Sequence, residues 1–231
     1  NWWVEMAFIT DGKIYLTHKE HSPNQPLPRG APLICLNATT GEVIWRVNGL
    51  FRTTAWGGTP IMGDSVIARY NTYDQQVYAI GQGPSVTTVE APMTAITVGN
   101  SVEIQGTVMD ASPGTKETAL TLRFPNGVPA VSDDSQGDWM KYVYQQWPRP
   151  TNATGVTVSI DAVDPNGNFI HIGTPTTDTS GLYSYAWKTP NVPGKYTIIA
   201  YFAGSNGYWG SQAEAATYVS QAPPTPTPTP A

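Results

Sequence analysis

Residues Leu33–Trp45, reading L-I-C-L-N-A-T-T-G-E-V-I-W, leave the chain few choices. Two short runs, Leu33–Leu36 and Glu42–Trp45, carry the aliphatic, β-branched and aromatic residues that fit a pleated surface. Asn-Ala-Thr-Thr-Gly joins them, and Gly41 can take the φ > 0 position that a tight hairpin needs. Strand alternation places Leu33 and Cys35 on one face, with Ile34 and Leu36 on the other. The stretch predicts a β-hairpin.

Its surroundings read the same way. Phe8–Thr17 holds two strand-like runs around Asp11-Gly12, and a polar, Pro-rich loop from His18 to Gly30 leads into the hairpin. After Trp56-Gly57-Gly58, the segment Thr59–Ala68 repeats the strand–turn–strand pattern. Gln76–Ile80 then matches the Leu33–Leu36 position, with Ala79 answering Cys35. Two units are visible, at a period near the ~40–50 residues of propeller blades.

The hairpin resembles the repeat of the PQQ-type (quinoprotein) β-propellers, A-x-D-x-x-T-G-x-x-x-W. Cys35 stands at the small-residue position, Asn37 at the Asp, Thr40-Gly41 at the turn and Trp45 at the docking Trp. The resemblance implies that Trp45 packs between neighbouring blades against the small residue. It makes residues 1–84 the C-terminal blades of a propeller. Propellers typically close with four to eight blades, so two cannot close a ring. Either earlier blades have been cut away, or these strands complete a sheet supplied by another chain.

Gly81-Gln82-Gly83-Pro84 punctuates the chain, and the pattern then changes. Val102, Ile104 and Val108 alternate with Glu103, Gln105 and Thr107, and Leu120, Leu122 and Phe124 are read as a further strand. Val156, Val158 and Ile160 alternate in the same way, as do Tyr196, Ile198, Ala200 and Phe202. Turn signals at Pro113-Gly114, Asp164–Gly167, Ser180-Gly181 and Pro193-Gly194 separate these runs, as in an antiparallel β-sandwich. Thr97–Val102, Thr177–Tyr183, Pro193–Thr197 and Tyr201–Tyr208 resemble phrases of bacterial and archaeal Ig-like surface repeats. That resemblance covers residues 85–219 and implies an Ig-like domain over 85–221. Ser132–Gln146 departs from it. It is read as a helical insertion over 132–147, with Asp134 or Ser135 as N-cap and Trp139, Tyr142 and Val143 on its apolar face. Residues 222–231, rich in Thr-Pro, are read as an extended stalk. The order propeller, Ig-like domain and stalk looks like large secreted surface proteins of archaea. With no Met at its start, the chain is read as a mature or excised piece of a longer precursor.

Chemistry is sparse. Charged residues make up 13% of the 231, about half the usual share, and the net charge is −5. The 12 Lys and Arg are scattered, so nucleic acid is an unfavourable partner. The single Cys35 excludes an internal disulfide and any multi-cysteine metal or haem motif. No run approaches the roughly 18 apolar residues of a membrane-spanning helix. His18, Glu20 and His21 alternate poorly for metal ligation and are read as a polar loop. Asp133, Asp134 and Asp138 are the calcium candidates, against a helix-dipole role that needs no metal. Asp161, Asp164, Asn166 and Asn168 are read first as a hairpin turn, with calcium as the alternative. Asn37 and Asn152 head N-x-T sequons, and Asn37 also suits the turn it occupies. The PQQ constellation of the quinoproteins cannot be assembled from two blades and one Cys, and no G-x-S-x-G or Ser-His pairing marks a nucleophile.

The expectation is an all-β, non-catalytic, extracellular cell-surface protein with a structural or adhesive role, requiring no cofactor. It is expected to meet copies of itself or the rest of a precursor through its first 84 residues and its Thr-Pro tail, with Trp2, Trp3, Trp45 and Trp56 on the contacting faces. Self-assembly into an envelope or filament layer by strand donation is expected, with a membrane met only through an anchor outside this chain. Glycans and other surface proteins are further candidate partners. The alternatives are a fragment of a PQQ-dependent dehydrogenase and a carbohydrate- or protein-binding module.

Overall fold

The computed structural model describes residues 3–19, 32–48, 59–71 and 75–223. The chain is predominantly β and divides into two compact units. One comprises Asn1–Gln82 with Gly137–Arg149, the other Gly83–Gln136 with Pro150–Ala231. Trp2, Glu20, His21, Trp56 and the stalk from residue 224 lie outside the described residues, and so does the side chain of Trp3.

The first unit contains two antiparallel meanders. β1 (Trp3–Thr10), β2 (Lys13–Lys19), β3 (Leu33–Asn37) and β4 (Val43–Val47) form a four-stranded sheet in chain order. β5 (Ile61–Gly63), β6 (Val66–Asn71) and β7 (Gln76–Ile80) form a three-stranded one. The turns explain this regularity. Asp11 and Gly12 both have positive φ (48° and 65°), as do Asp64 and Ser65 (48° and 62°). That is the type I′ geometry whose twist matches paired strands. Gly41 has φ 75°, and the N–H groups of Thr39 and Thr40 donate to the Asn37 side-chain oxygen at 2.8 and 3.1 Å. Asn37 thus builds the turn of the organising hairpin.

In the second unit, β8 (Ser85–Thr87), β10 (Ser101–Asp110), β11 (Val128–Pro129) and β14 (Leu182–Lys188) make one sheet, once β9 (Ile96–Thr97) is set apart. β13 (Phe169–Gly173), β12 (Ser159–Val163), β15 (Gly194–Gly204), β16 (Trp209–Ser220) and β9 make the other, in that order. Alternation drives both. Val102, Ile104 and Val108 of one sheet share a core with Ile160, Tyr196, Ile198, Ala200 and Phe202 of the other. The Tyr196 hydroxyl donates to the Val192 carbonyl at 2.8 Å, and its ring meets Trp187 edge-on at 5.3 Å. Among the described strands β9 runs parallel to β16, with Val219 opposite Ile96, and the isolated bridge between Gly83 and Tyr208 is parallel too.

Two local readings are corrected. Leu120–Phe124 is not a strand: α1 (Thr118–Arg123) follows a 3-10 turn over Pro113–Lys116, burying Leu120 and leaving Leu122 79% exposed. Three apolar residues at alternate positions also satisfy an i, i+4 helical pair, and Ala, Leu and Arg favour the helix. α2 (Asp133–Gln145) starts before the expected caps Asp134 and Ser135. The Ser135 hydroxyl instead accepts the Thr154 N–H at 2.9 Å. Trp139 and Val143 are buried, and the Tyr142 ring lies 5.3 Å from that of Trp139.

Asp110, at the end of β10, is buried and accepts the Ser112 N–H at 2.7 Å. Burial pushes its carboxyl up, and the Ser112 bonds offset this only in part. A carboxyl raised in the fold favours folding below its unfolded pKa of about 3.9, and this contribution is lost as pH rises through the folded pKa. Asp110→Asn keeps the acceptor without the charge. It is expected to raise the thermal midpoint at pH 7, with the gain shrinking as the pH approaches 4.

Candidate functional site

The organising hairpin sits in a row that crosses the four-stranded sheet. Phe8 faces Tyr15, Tyr15 faces Cys35, and Cys35 faces Trp45 in successive strand pairs. The Phe8 and Tyr15 rings are 4.8 Å apart, and those of Tyr15 and Trp45 are 5.9 Å apart. Ile67 of the three-stranded sheet closes over this row, with Met62 and Ile80 beside it. Cys35 is fully buried, whereas Trp45 is half-buried. Burial raises the Cys35 thiol, and burial followed by the Cys35 contact pushes Tyr15 up to about 12. A thiol held protonated in this row is packing material, not a nucleophile. Ala79 does not answer Cys35: Ile67 pairs with Ile80 and both turn inward, while Ala68 pairs with Ala79 and Ala79 is exposed. A one-residue offset between the two units reverses the face.

The outward faces are also apolar. On the four-stranded sheet, Met6, Leu16 and Ile34 form one cross-strand row, and Ile9, Ile14, Leu36 and Val43 form another. On the three-stranded sheet, Ile61, Ala68 and Ala79 align beside the Tyr70–Val77 pair. Met6, Ile9 and Val43 are 57–59% exposed, Ile61 68% and Val77 72%. Isolated exposed side chains of this kind are ordinary, whereas aligned rows on a sheet mark an interaction surface. Arg69 and Asn71 are buried on the inward face of β6. Burial pulls Arg69 down to about 10, with Glu5 opposing, so it stays charged at neutral pH.

The calcium candidates are not brought together. Asp133 accepts the N–H groups of Asn206 and Gly207 at 3.0 and 3.1 Å, and Asp138 pairs with Lys141 at 2.7 Å. Asp134 lies exposed in the first turn of α2. Burial alone would raise Asp133, but the hydrogen bonds from Asn206, Ser205 and Gly207 outweigh it and lower the carboxyl. Among the described residues, no three His, Cys, Asp or Glu side chains are placed to hold a metal ion. His18 is buried, with Nδ1 2.6 Å from the Pro32 carbonyl. Asp164 is a turn residue, accepting the N–H groups of Asn166 and Asn168 at 2.9 and 2.7 Å. Of the sequons, Asn152 is exposed, whereas the half-buried Asn37 is engaged in its turn.

One constellation escapes a reading by motif. His171 Nδ1 lies 2.7 Å from Asp161, and its Nε2 lies 3.1 Å from the Thr174 hydroxyl. The signal was the Asp164–Asn168 turn, whose register sets Val163 opposite Phe169 and hence Asp161 opposite His171. Acid, imidazole and hydroxyl in line is the order of a hydrolytic relay. Here His171, on β13, and Thr174, just past its end, are exposed at the margin of the sheet, without the enclosure a substrate site provides. A groove of about 610 Å³ lies elsewhere, lined by Thr88, Glu90, Glu103, Gln105, Asp178 and Tyr183 among others.

No family model matches the chain, and no curated protein matches it. Among solved structures it is similar to the tetra-tandem repeat in the extending region of a large adhesion protein, at 13% identity and a TM-score of 0.41. That match covers 95% of this chain and 49% of the other, so the chain spans about half the length of that neighbour. It is also similar to BslA, a bacterial hydrophobin, at 10% identity and a TM-score of 0.26, over 62% of this chain and 98% of that one. Neither likeness is close enough to carry an argument about fold or function.

Proposed function

We propose that the chain is a non-catalytic, extracellular cell-surface protein with a structural and adhesive role. The observation that carries this reading is the first unit's pair of sheets, whose outer faces carry aligned apolar rows open to contact. A surface of that kind serves association rather than chemistry. The four-stranded meander and the Cys35–Trp45 pairing support reading the unit as PQQ-type blades. In the second unit, the bond from the Tyr196 hydroxyl to Val192 has the form of a tyrosine corner, and the two sheets share one core. Both features support the Ig-like reading. Low charge and the Thr-Pro segment favour a position outside the cell.

The test is fractionation of cells that produce the chain. It is expected in the envelope fraction, retained through a high-salt wash and released by urea. Recovery with the cytosol would overturn the reading.

A quinoprotein role would need a Ca²⁺ and PQQ donor set, and Asp133, Asp138 and Asp164 are engaged in turns and pairs instead. Titration of the chain with PQQ and Ca²⁺ is expected to give no calorimetric heat and no dye reduction with alcohols or sugars. Micromolar binding would favour the dehydrogenase alternative.

A further inference from the structure

We infer that copies of this chain stack head to tail, the outer face of the four-stranded sheet of one copy docking on the outer face of the three-stranded sheet of the next. The inference deepens the structural role proposed above by naming its partner. The two sheets already pack against each other within one chain, through Tyr15 and Cys35 on one side and Ile67 on the other. Their outer faces have the same apolar character, so a second junction between the same two sheets continues the existing alternation.

Shape supports that choice over two identical faces meeting. The central strands of the four-stranded sheet present bulky side chains outward, such as Ile34 and Leu36. The three-stranded sheet presents the small Ala68 on its central strand and Ala79 on the edge strand β7, in one row with Ile61 and beside the larger Tyr70–Val77 pair. Bulky outward rows thus meet a row that is small at two of its three positions. Charge narrows the partner too. Among the described residues of these outer rows, the one charged side chain is Arg46, which lies on the outermost strand β4. An acidic or basic partner would find little to pair with there.

Area sets the strength. Four strands about 4.8 Å apart, about six residues long at roughly 3.3 Å per residue, make a face of roughly 400 Å². The three-stranded face is the smaller, roughly 220 Å² by the same spacings, so one junction buries roughly 450 Å² in total, below the roughly 1,000 Å² of stable pairs, whereas a copy inside a row uses both faces. Association is therefore expected to be weak for a pair and to grow with concentration. A heterologous contact of this kind yields open rows or rings.

The experiment is sedimentation velocity on the purified chain and two variants, each at an exposed position so that folding is spared: Val43→Lys on one outer face and Val77→Lys on the other. Circular dichroism and thermal melts matching the parent confirm the fold. The parent's weight-average mass is expected to at least double between about 5 and about 500 µM, the range in which a weak interface saturates. Each variant alone should stay monomeric. Mixed, they should form dimers and nothing larger, because each keeps the face the other has lost. A parent monomeric throughout, a single variant that still assembles, or a mixture that fails to pair would overturn the inference. An envelope-bound chain that is monomeric when pure would sink the stacking alone, whereas a cytosolic chain would sink the functional reading.

Discussion

Gly106→Ala is expected to cost the second unit about 3 kcal/mol or more, at the upper end of overpacking changes in well-packed cores. Gly106 sits mid-strand in β10, between Ile104 and Val108 on the core face. An added Cβ would lie 2.0 Å from the Thr88 carbonyl oxygen and 2.5 Å from the Tyr183 hydroxyl. Tyr183 is fixed there by donating to that same Thr88 carbonyl at 2.7 Å. Neither obstacle is the free end of a flexible chain, so the strand or the Tyr183 bond must yield. Urea unfolding followed by fluorescence measures the loss. Gly167→Ala is the control: φ is 83° but nothing lies within 4 Å, so only backbone strain of about 1 kcal/mol is expected. Equal costs at the two sites would show that the close approach at Gly106 relaxes freely.

Trp45→Ala is expected to destabilise the first unit by about 2–3 kcal/mol, short of the 3–5 kcal/mol typical for a fully enclosed Trp. The reduction follows from its position. Trp45 ends the Phe8–Tyr15–Cys35 row on the outermost strand β4 and is half-buried. Removing it uncovers one flank of the buried Cys35 and takes away the ring 5.9 Å from Tyr15. Thermal unfolding of the variant, with faster reaction of Cys35 toward a thiol reagent, checks both consequences. An unchanged midpoint would mean that the row is not the core of this unit.

Where the sequence was legible, one face of a long strand was wet. Tyr196, Ile198, Ala200 and Phe202 alternate over seven residues and all are buried, because β15 is long enough for period two to stand apart from other patterns. Leu120–Phe124 was too short for that distinction and folded as a helix. The organising hairpin could be read from Asn37 and Gly41, since turn chemistry is local. Ala79 was misplaced because matching two units by residue type leaves their strand offset undetermined. The Asp161–His171 pair depends on register between two strands, which only the turn's geometry fixes. The outer rows of the first unit were visible as runs such as Leu33–Leu36, but a run does not say which of its faces finds a partner within the chain.

The most direct measurement of the account compares methionine oxidation in the dilute purified chain and on intact cells. Met6 lies on the outer face of the four-stranded sheet at 58% exposure, and Met93 is 78% exposed in the second unit. With a membrane-impermeant oxidant, both are expected to oxidise readily in the dilute chain. On cells, Met93 is expected to oxidise at a similar rate while Met6 slows about fivefold or more, as burial of a thioether in an interface demands. Met6 and Met93 oxidising equally on cells, or both escaping until lysis, would contradict the account.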